Sequence, residues 1–229
     1  MSQRVVLVHG FATDSARTWR ENGWLDLLAD VGREPIPIDL LGHGTADKPH
    51  DPNAYADLEG YVLARFPDEP VDAIGFSLGA RVLLTIASRQ PDRFERLVVT
   101  GIGGRLMQPE ESDPEFNEGV LRAIEGGGDV DNPVAQYFAG LASHPGVDRE
   151  ALAACLRAKR PPVTPELLAA VTVPVLVVIG DKDFAGPGEP LADGLPSATL
   201  KTLRNVDHFA TPKDFGCLDA ALAFIDAAP

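Results

Sequence analysis

Cysteine is scarce in this 229-residue chain: there are only two, Cys155 and Cys217, 62 positions apart. They fit no CxxC or zinc-type spacing, so they are expected to be two reduced thiols rather than a disulfide frame or a redox pair. Long apolar runs are missing too. The N-terminal stretch Val5–Val8 is too short for the core of a signal peptide. The longest late run, Val173–Ile179, carries Pro174 and falls far below the roughly 20 residues of a membrane span. Cations are in deficit, with 20 Lys and Arg against 34 Asp and Glu, a net charge of −14. Such a surface repels phosphate backbones and anionic lipid headgroups. Nucleic acid and membranes are therefore not expected partners, and a cytoplasmic location is expected. A small-molecule substrate is the expected partner, with a homodimer left open. There is no H-E-x-x-H, and His50 and His144 lack neighbours at ligand spacing, so no metal is expected. No other cofactor is called for, because Gly101-Ile102-Gly103-Gly104 is only half of a dinucleotide fingerprint.

What remains is an ordinary globular composition, 45% apolar with 22 Gly and 20 Pro, enough for one domain with a small insertion. Short β-branched runs recur at 5–8, 35–38, 71–74, 97–99, 175–179 and 198–203, with helical stretches at about 24–31, 80–89 and 217–227. Continuous rather than alternating apolar runs mean strands covered on both faces. The alternation predicts an α/β fold, a doubly wound and mostly parallel sheet of about six strands. The prolines of 35–38 and the alternation of 198–203 place these two at the edges. From about Arg105 to Ala170 no strand is predicted. An acidic, Pro-rich loop at 109–115 and Gly126-Gly127-Gly128 lead to short helices around 134–141 and 150–159. This stretch is expected to be a helical cap (105–170) on a core made of residues 1–104 and 171–229.

Gly75-Phe76-Ser77-Leu78-Gly79 matches G-x-S-x-G, and it stands where the motif must stand, between a strand and a helix. Serine held on a sharp turn is strained, and side chains two residues to either side would collide across it, so glycine flanks it. A serine nucleophile needs a base and an acid that orients the base. His208 follows the last strand, and Gly180-Asp181-Lys182-Asp183 follows the strand before it. The chain order Ser, Asp, His is the one used with this elbow.

These stretches resemble the α/β-hydrolase fold superfamily over nearly the whole chain. His9-Gly10-Phe11 resembles its oxyanion turn, and Asp39-Leu40-Leu41-Gly42-His43-Gly44 with Asp47-Lys48-Pro49 its D-x-x-G-H-G loop. The usual opening hairpin of the family is absent. The resemblance implies Ser77, Asp183 and His208 as the catalytic set, with Asp181 the second choice for the acid. It implies the N–H groups of Phe11 and Leu78 as the oxyanion hole, and a scaffold role for His9 and His43. Asp207 replaces the Gly that often precedes the catalytic His, adding a negative charge near it. Phe11, Leu78, Phe209, Phe138 and Met107 are the expected substrate contacts, with Phe76, Leu141 and Phe184 as further candidates. An apolar pocket of this kind suits an uncharged acyl group. Arginines in the pocket would favour an acidic substrate instead, with Arg105, Arg122 and Arg157 available in the cap. The implied activity is a serine esterase acting through an acyl-enzyme. A C–C hydrolase, lactonase or thioesterase with the same triad, a perhydrolase side activity, or a binding protein with little turnover are the alternatives.

Overall fold

A computed structural model describes residues 3–108, 114–127 and 132–227. Most of the acidic loop expected at 109–115, and Gly128 of the glycine run, lie outside the described residues. Strands β1 (Arg4–Val8), β2 (Glu34–Ile38), β3 (Val71–Phe76), β4 (Phe94–Thr100), β5 (Val175–Gly180) and β6 (Ala198–Leu203) form one six-stranded sheet. Its order is β2-β1-β3-β4-β5-β6 and every pairing is parallel. The two strands expected at the edges are there: β2 spares its two prolines a second ladder, and β6 keeps an exposed alternation.

Helices follow most strands. They are α1 (Trp24–Asp30), α2 (Leu58–Leu63), α3 (Leu78–Arg89), α4 (Pro114–Ile124), α5 (Pro133–Ala142), α6 (Arg149–Arg157), α7 (Pro165–Ala169), α8 (Glu189–Gly194) and α9 (Phe215–Phe224). They cover both faces of the sheet, which is why the central strands read as unbroken apolar runs. Val5, Leu7, Ile74, Val98 and Val178 pack with Trp19, Trp24, Leu28, Leu218 and Leu222 on one face. Val6, Val8, Ala73, Leu97, Val99 and Val177 pack with Leu58, Val62, Leu83 and Leu168 on the other. The period-2 alternation of a strand divides these neighbours between the two layers.

Sequence reasoning passed over α2, α4, α7 and α8. Pro114, expected in a loop, is instead the first residue of α4, as Pro133 and Pro165 are of α5 and α7; a missing N–H costs nothing there. Asn132 and Thr164 cap two of these helices by accepting from backbone N–H groups. Among the described residues between β4 and β5 there is no strand. Val120, Ile124, Phe138 and Leu152 from that connection make a third apolar cluster, against which Phe11, Phe184 and Phe209 pack.

Asp72 is a fully buried acid at the opposite end of the sheet from the site described below. Arg96 grips it with Nε at 2.9 Å and Nη2 at 3.2 Å, and Arg33 adds a third hydrogen bond. Both arginines also donate to the Ile225 carbonyl, so this cluster fastens the end of α9 beneath the sheet.

Candidate active site

The chain runs from β1 out to β2 on one side, then returns to β3 on the other. That reversal opens a crevice at the carboxyl ends of β1 and β3, the place where ligands bind in open parallel sheets. His9-Gly10-Phe11 leaves β1 into this crevice, and Ser77 leaves β3 beside it. The two turns touch: a Cβ on Gly10 would lie 2.8 Å from the Phe76 ring and 3.2 Å from Ser77 Cβ.

Ser77 has φ 52° and ψ −113°, a left-handed conformation that non-glycine residues avoid. Its N–H is held by the Thr100 carbonyl at 2.8 Å, and α3 begins at the next residue. The flanking glycines are required, Gly75 by the expected clash across the turn and Gly79 by the neighbouring strand. A Cβ at Gly75 would strike the α3 backbone, 2.6 Å from Ala80 Cα. One at Gly79 would sit 2.2 Å from the Val8 carbonyl of β1. Close seating of α3 on the sheet is what excludes side chains here.

Ser77 Oγ lies 3.1 Å from His208 Nε2. His208 Nδ1 lies 2.9 and 3.1 Å from the two carboxylate oxygens of Asp183. Both partners are buried, and Asp183 Oδ1 also accepts from the Ala185 N–H at 2.8 Å. The imidazole is held between the rings of Phe184 and Phe76, with centroids at 4.3 and 5.0 Å. Asp181 is elsewhere: its carboxylate accepts from the Asn205 N–H at 2.7 Å and braces the β6 turn. Asp207 is exposed and caps Ala210 N–H at 2.8 Å.

Phe11 and Leu78, whose N–H groups are the expected oxyanion donors, both line cavities that contain Ser77. Among the described residues neither N–H has an acceptor. Leu78 opens α3, where the first N–H groups have no intrahelical partner. The loop around Phe11 is fastened by two buried, neutral histidines. His9 donates from Nδ1 to the Gly10 carbonyl and accepts the Leu40 N–H at Nε2, at 2.7 and 3.0 Å. His43 donates from Nδ1 to the Leu41 carbonyl and accepts the Ala12 N–H at Nε2, at 2.9 and 3.1 Å. Burial pushes both imidazoles toward the neutral form, that of His43 down to about 3. Asp39 ties the same loops together by accepting from Ser15 N–H and Thr45 N–H. Burial would raise its pKa, but these hydrogen bonds outweigh it and hold the carboxyl at about 2.

Three cavities open from Ser77. One of about 350 Å³ runs past Phe11, Tyr137, Phe138 and Phe209 toward a polar mouth with Arg17 and Lys213. One of about 170 Å³ runs between Leu78, Phe138, Leu156, Phe184 and Arg160. One of about 230 Å³ leads past Leu106 and Arg105. Phe11, Leu78, Phe138 and Phe209 thus lie around the serine, with Phe76, Leu141 and Phe184. Met107 does not: it lines none of these three cavities and packs against the main core. Of the cap arginines, Arg157 pairs with Glu125 at the surface and Arg122 is exposed, while Arg105 reaches a cavity.

Sequence reasoning missed Tyr137, which stacks on Phe209 with centroids 3.6 Å apart. Adjacency to Phe138 in an aromatic pair was the available signal. It also missed Arg160, whose signal was the break before Pro161 and Pro162 that turns the chain back toward the sheet.

A family model described as the alpha/beta hydrolase family matches residues 5–215. The chain belongs to the alpha/beta hydrolase family. A pimeloyl-(acyl-carrier protein) methyl ester esterase of Neisseria meningitidis is 30% identical, over 90% of this chain and 86% of that protein. Among solved structures, a bromoperoxidase from Bacillus anthracis superposes with a TM-score of 0.76 at 20% identity, covering 99% of this chain and 92% of that one. The enol-lactonase from Burkholderia xenovorans superposes with 0.68 at 21% identity, covering 99% and 91%. At these identities the two structures establish the shared fold. No helix among the described residues is long and apolar enough to cross a membrane.

Proposed function

We propose that this member of the family is a serine carboxylesterase working through an acyl-enzyme on small to medium, largely apolar esters. The observation that carries the reading is the hydrogen-bonded line Ser77 Oγ–His208–Asp183, set beside two N–H groups without acceptors at the junction of three cavities. The methyl ester esterase relative supports the bond class.

In this mechanism Ser77 Oγ attacks the ester carbonyl carbon while His208 Nε2 takes the hydroxyl proton. Asp183 fixes the Nδ1–H tautomer and stabilises the imidazolium that forms. The tetrahedral oxyanion is received by the Phe11 and Leu78 N–H groups, each worth about 3 kcal/mol of transition-state stabilisation. The intermediate collapses, the C–O bond breaks, and the alcohol leaves with the proton from His208. Water then attacks the acyl-serine with His208 again as base, releasing the acid and Ser77. The α4–α7 connection acts as the cap, since Phe138, Leu141 and Leu156 come from it.

Hydrolysis of p-nitrophenyl esters from acetate to decanoate tests the reading. The native protein turns them over, Ser77→Ala does not, and the chain-length optimum sizes the cavity. Native turnover that survives in Ser77→Ala, or none on any ester, refutes it.

A further inference from the structure

The overall charge of −14 and the aromatic walls argue for an uncharged substrate, yet one cavity carries a cation, Arg160, with no carboxylate partner among the described residues. Arg160 lines the 170 Å³ cavity together with Ser77. Its Nη2 caps the end of α6 by donating to the Cys155 carbonyl, and lies 3.2 Å from Cys155 Sγ. Nε is buried and has no hydrogen-bond partner, and Nη1 makes none among the described residues. No carboxylate among the described residues lies within ion-pair distance of it. Arg17 pairs with Asp14, and Arg33 and Arg96 pair with Asp72, whereas Arg93 resembles Arg160 in donating to a carbonyl, that of Pro67, with its Nε unpartnered; only Arg160 of these two lines a cavity that holds Ser77.

A partly buried guanidinium without a carboxylate partner, set in the same cavity as a reactive serine, costs stability that a bound carboxylate would recover. Its planar fork matches a carboxylate with two parallel hydrogen bonds, and a water-poor wall strengthens that pairing. Apart from Asn117 and Cys155, the rest of the cavity wall is apolar, with Leu78, Val120, Phe138, Leu156 and Phe184 among its residues.

We propose that Arg160 is a specificity-determining residue that receives a carboxylate at the far end of the substrate arm filling this cavity. The preferred substrates are then monoesters of aliphatic dicarboxylic acids, with the ester at Ser77 and the free acid at Arg160. This narrows the substrate class of the proposed esterase and rests on that reading.

The test compares kcat/KM on the monomethyl and dimethyl esters of succinate, glutarate, adipate and pimelate, followed by acid release at constant pH. The native enzyme favours one or more monoesters over the matching diesters. Arg160→Gln lowers that monoester-to-diester ratio at least tenfold, chiefly through KM, and Arg160→Lys restores part of it. A ratio unchanged in Arg160→Gln, or a native preference for diesters throughout the series, overturns the proposal. A second readout is independent of turnover. Calorimetry on Ser77→Ala detects binding of the free dicarboxylates, and Ser77→Ala/Arg160→Gln, checked for an unchanged melting transition, binds at least tenfold more weakly. Dicarboxylate binding that depends on Arg160, without hydrolysis of any ester, would leave the carboxylate site standing and remove the esterase. Hydrolysis of neutral esters without Arg160-dependent selectivity or binding would do the reverse.

Discussion

Lowering the pH from 8 to 5 acts against the fold at two buried imidazoles, those of His9 and His43. Both are fully buried, and each accepts a backbone N–H at Nε2. The native state therefore keeps them neutral, with His43 not protonating until about pH 3. In the unfolded chain the same imidazole titrates near 6.5. A folded-state pKa below the unfolded value means that the unfolded state takes up the proton first. The stability is intact above about pH 6.5 and declines as the pH falls toward 3. For a histidine that stays neutral in the native state, the loss between pH 8 and 5 is about 2 kcal/mol. His9 adds a loss of the same sign, and the total is a large share of a typical domain stability of about 5–15 kcal/mol. Asp39 hardly enters above pH 5, because its loss begins only as the pH falls into the ordinary carboxylate range and runs down to about 2. His50, exposed between Asp148 and Glu150, shifts upward and acts in the opposite direction. Its effect cancels when two variants are compared. Urea unfolding of the native protein and of His43→Gln at pH 8, 6 and 5 isolates the term. Gln keeps an acceptor for the Ala12 N–H but cannot take a proton. The stability difference between pH 8 and 5 should be about 2 kcal/mol smaller in His43→Gln, even though that variant starts less stable. Equal pH dependence in the two proteins would refute the reasoning, since it would mean that His43 is protonated alike in both states.

The two acids of the Gly180 turn should separate by function. Asp183→Asn should cut kcat by about 10³–10⁴-fold through loss of the correct His208 tautomer, while Asp181→Asn, which touches only Asn205 N–H, should stay within about threefold. Similar losses from both in an ester assay would contradict the geometry. Asp72→Ala should cost about 3–5 kcal/mol in urea unfolding, because it strands Arg33 beneath the sheet and leaves Arg96 with Asp226 alone of its two carboxylates. A loss below about 1 kcal/mol would show that the two arginines rehydrate freely.

The parts of this molecule most legible in the sequence are those governed by short-range rules. The six strands were readable because a sheet covered on both faces leaves unbroken β-branched runs, and the edge positions of β2 and β6 because proline and polar alternation are tolerated only there. Ser77 was readable because a strained turn restricts its neighbours so tightly that the residue pattern is nearly obligatory, and His208 because it follows the last strand in the chain order used with that turn. The choice of Asp183 over Asp181 rested on the family resemblance, since both stand within one turn, and it is the direction of the turn that sends one carboxylate to His208 and the other to Asn205. The walls of the cavities were not readable in this way. Met107 and Phe138 are both apolar residues of the same connection, yet one faces the core and the other the serine. That division depends on how α4, α5 and α6 pack on one another, and no local pattern carries it.

The same distinction bears on where selectivity resides. The strained serine, the buried histidine pair and the two unaccepted N–H groups all sit on the sheet and its immediate turns, where a change of side chain meets backbone within 3 Å, as at Gly75 and Gly79. The α4–α7 connection supplies Phe138, Leu156 and Arg160 from helices that meet the sheet through side chains. Such a surface tolerates exchange of its lining without disturbing Ser77. The chemistry of bond breaking is thus held by the rigid part, and the identity of the acyl or alcohol arm by the part that is free to vary. Arg160 stands in that variable wall: it caps α6 through the Cys155 carbonyl, has no carboxylate partner among the described residues, and lines the cavity beside Ser77, so exchanging it tests selectivity without touching the sheet.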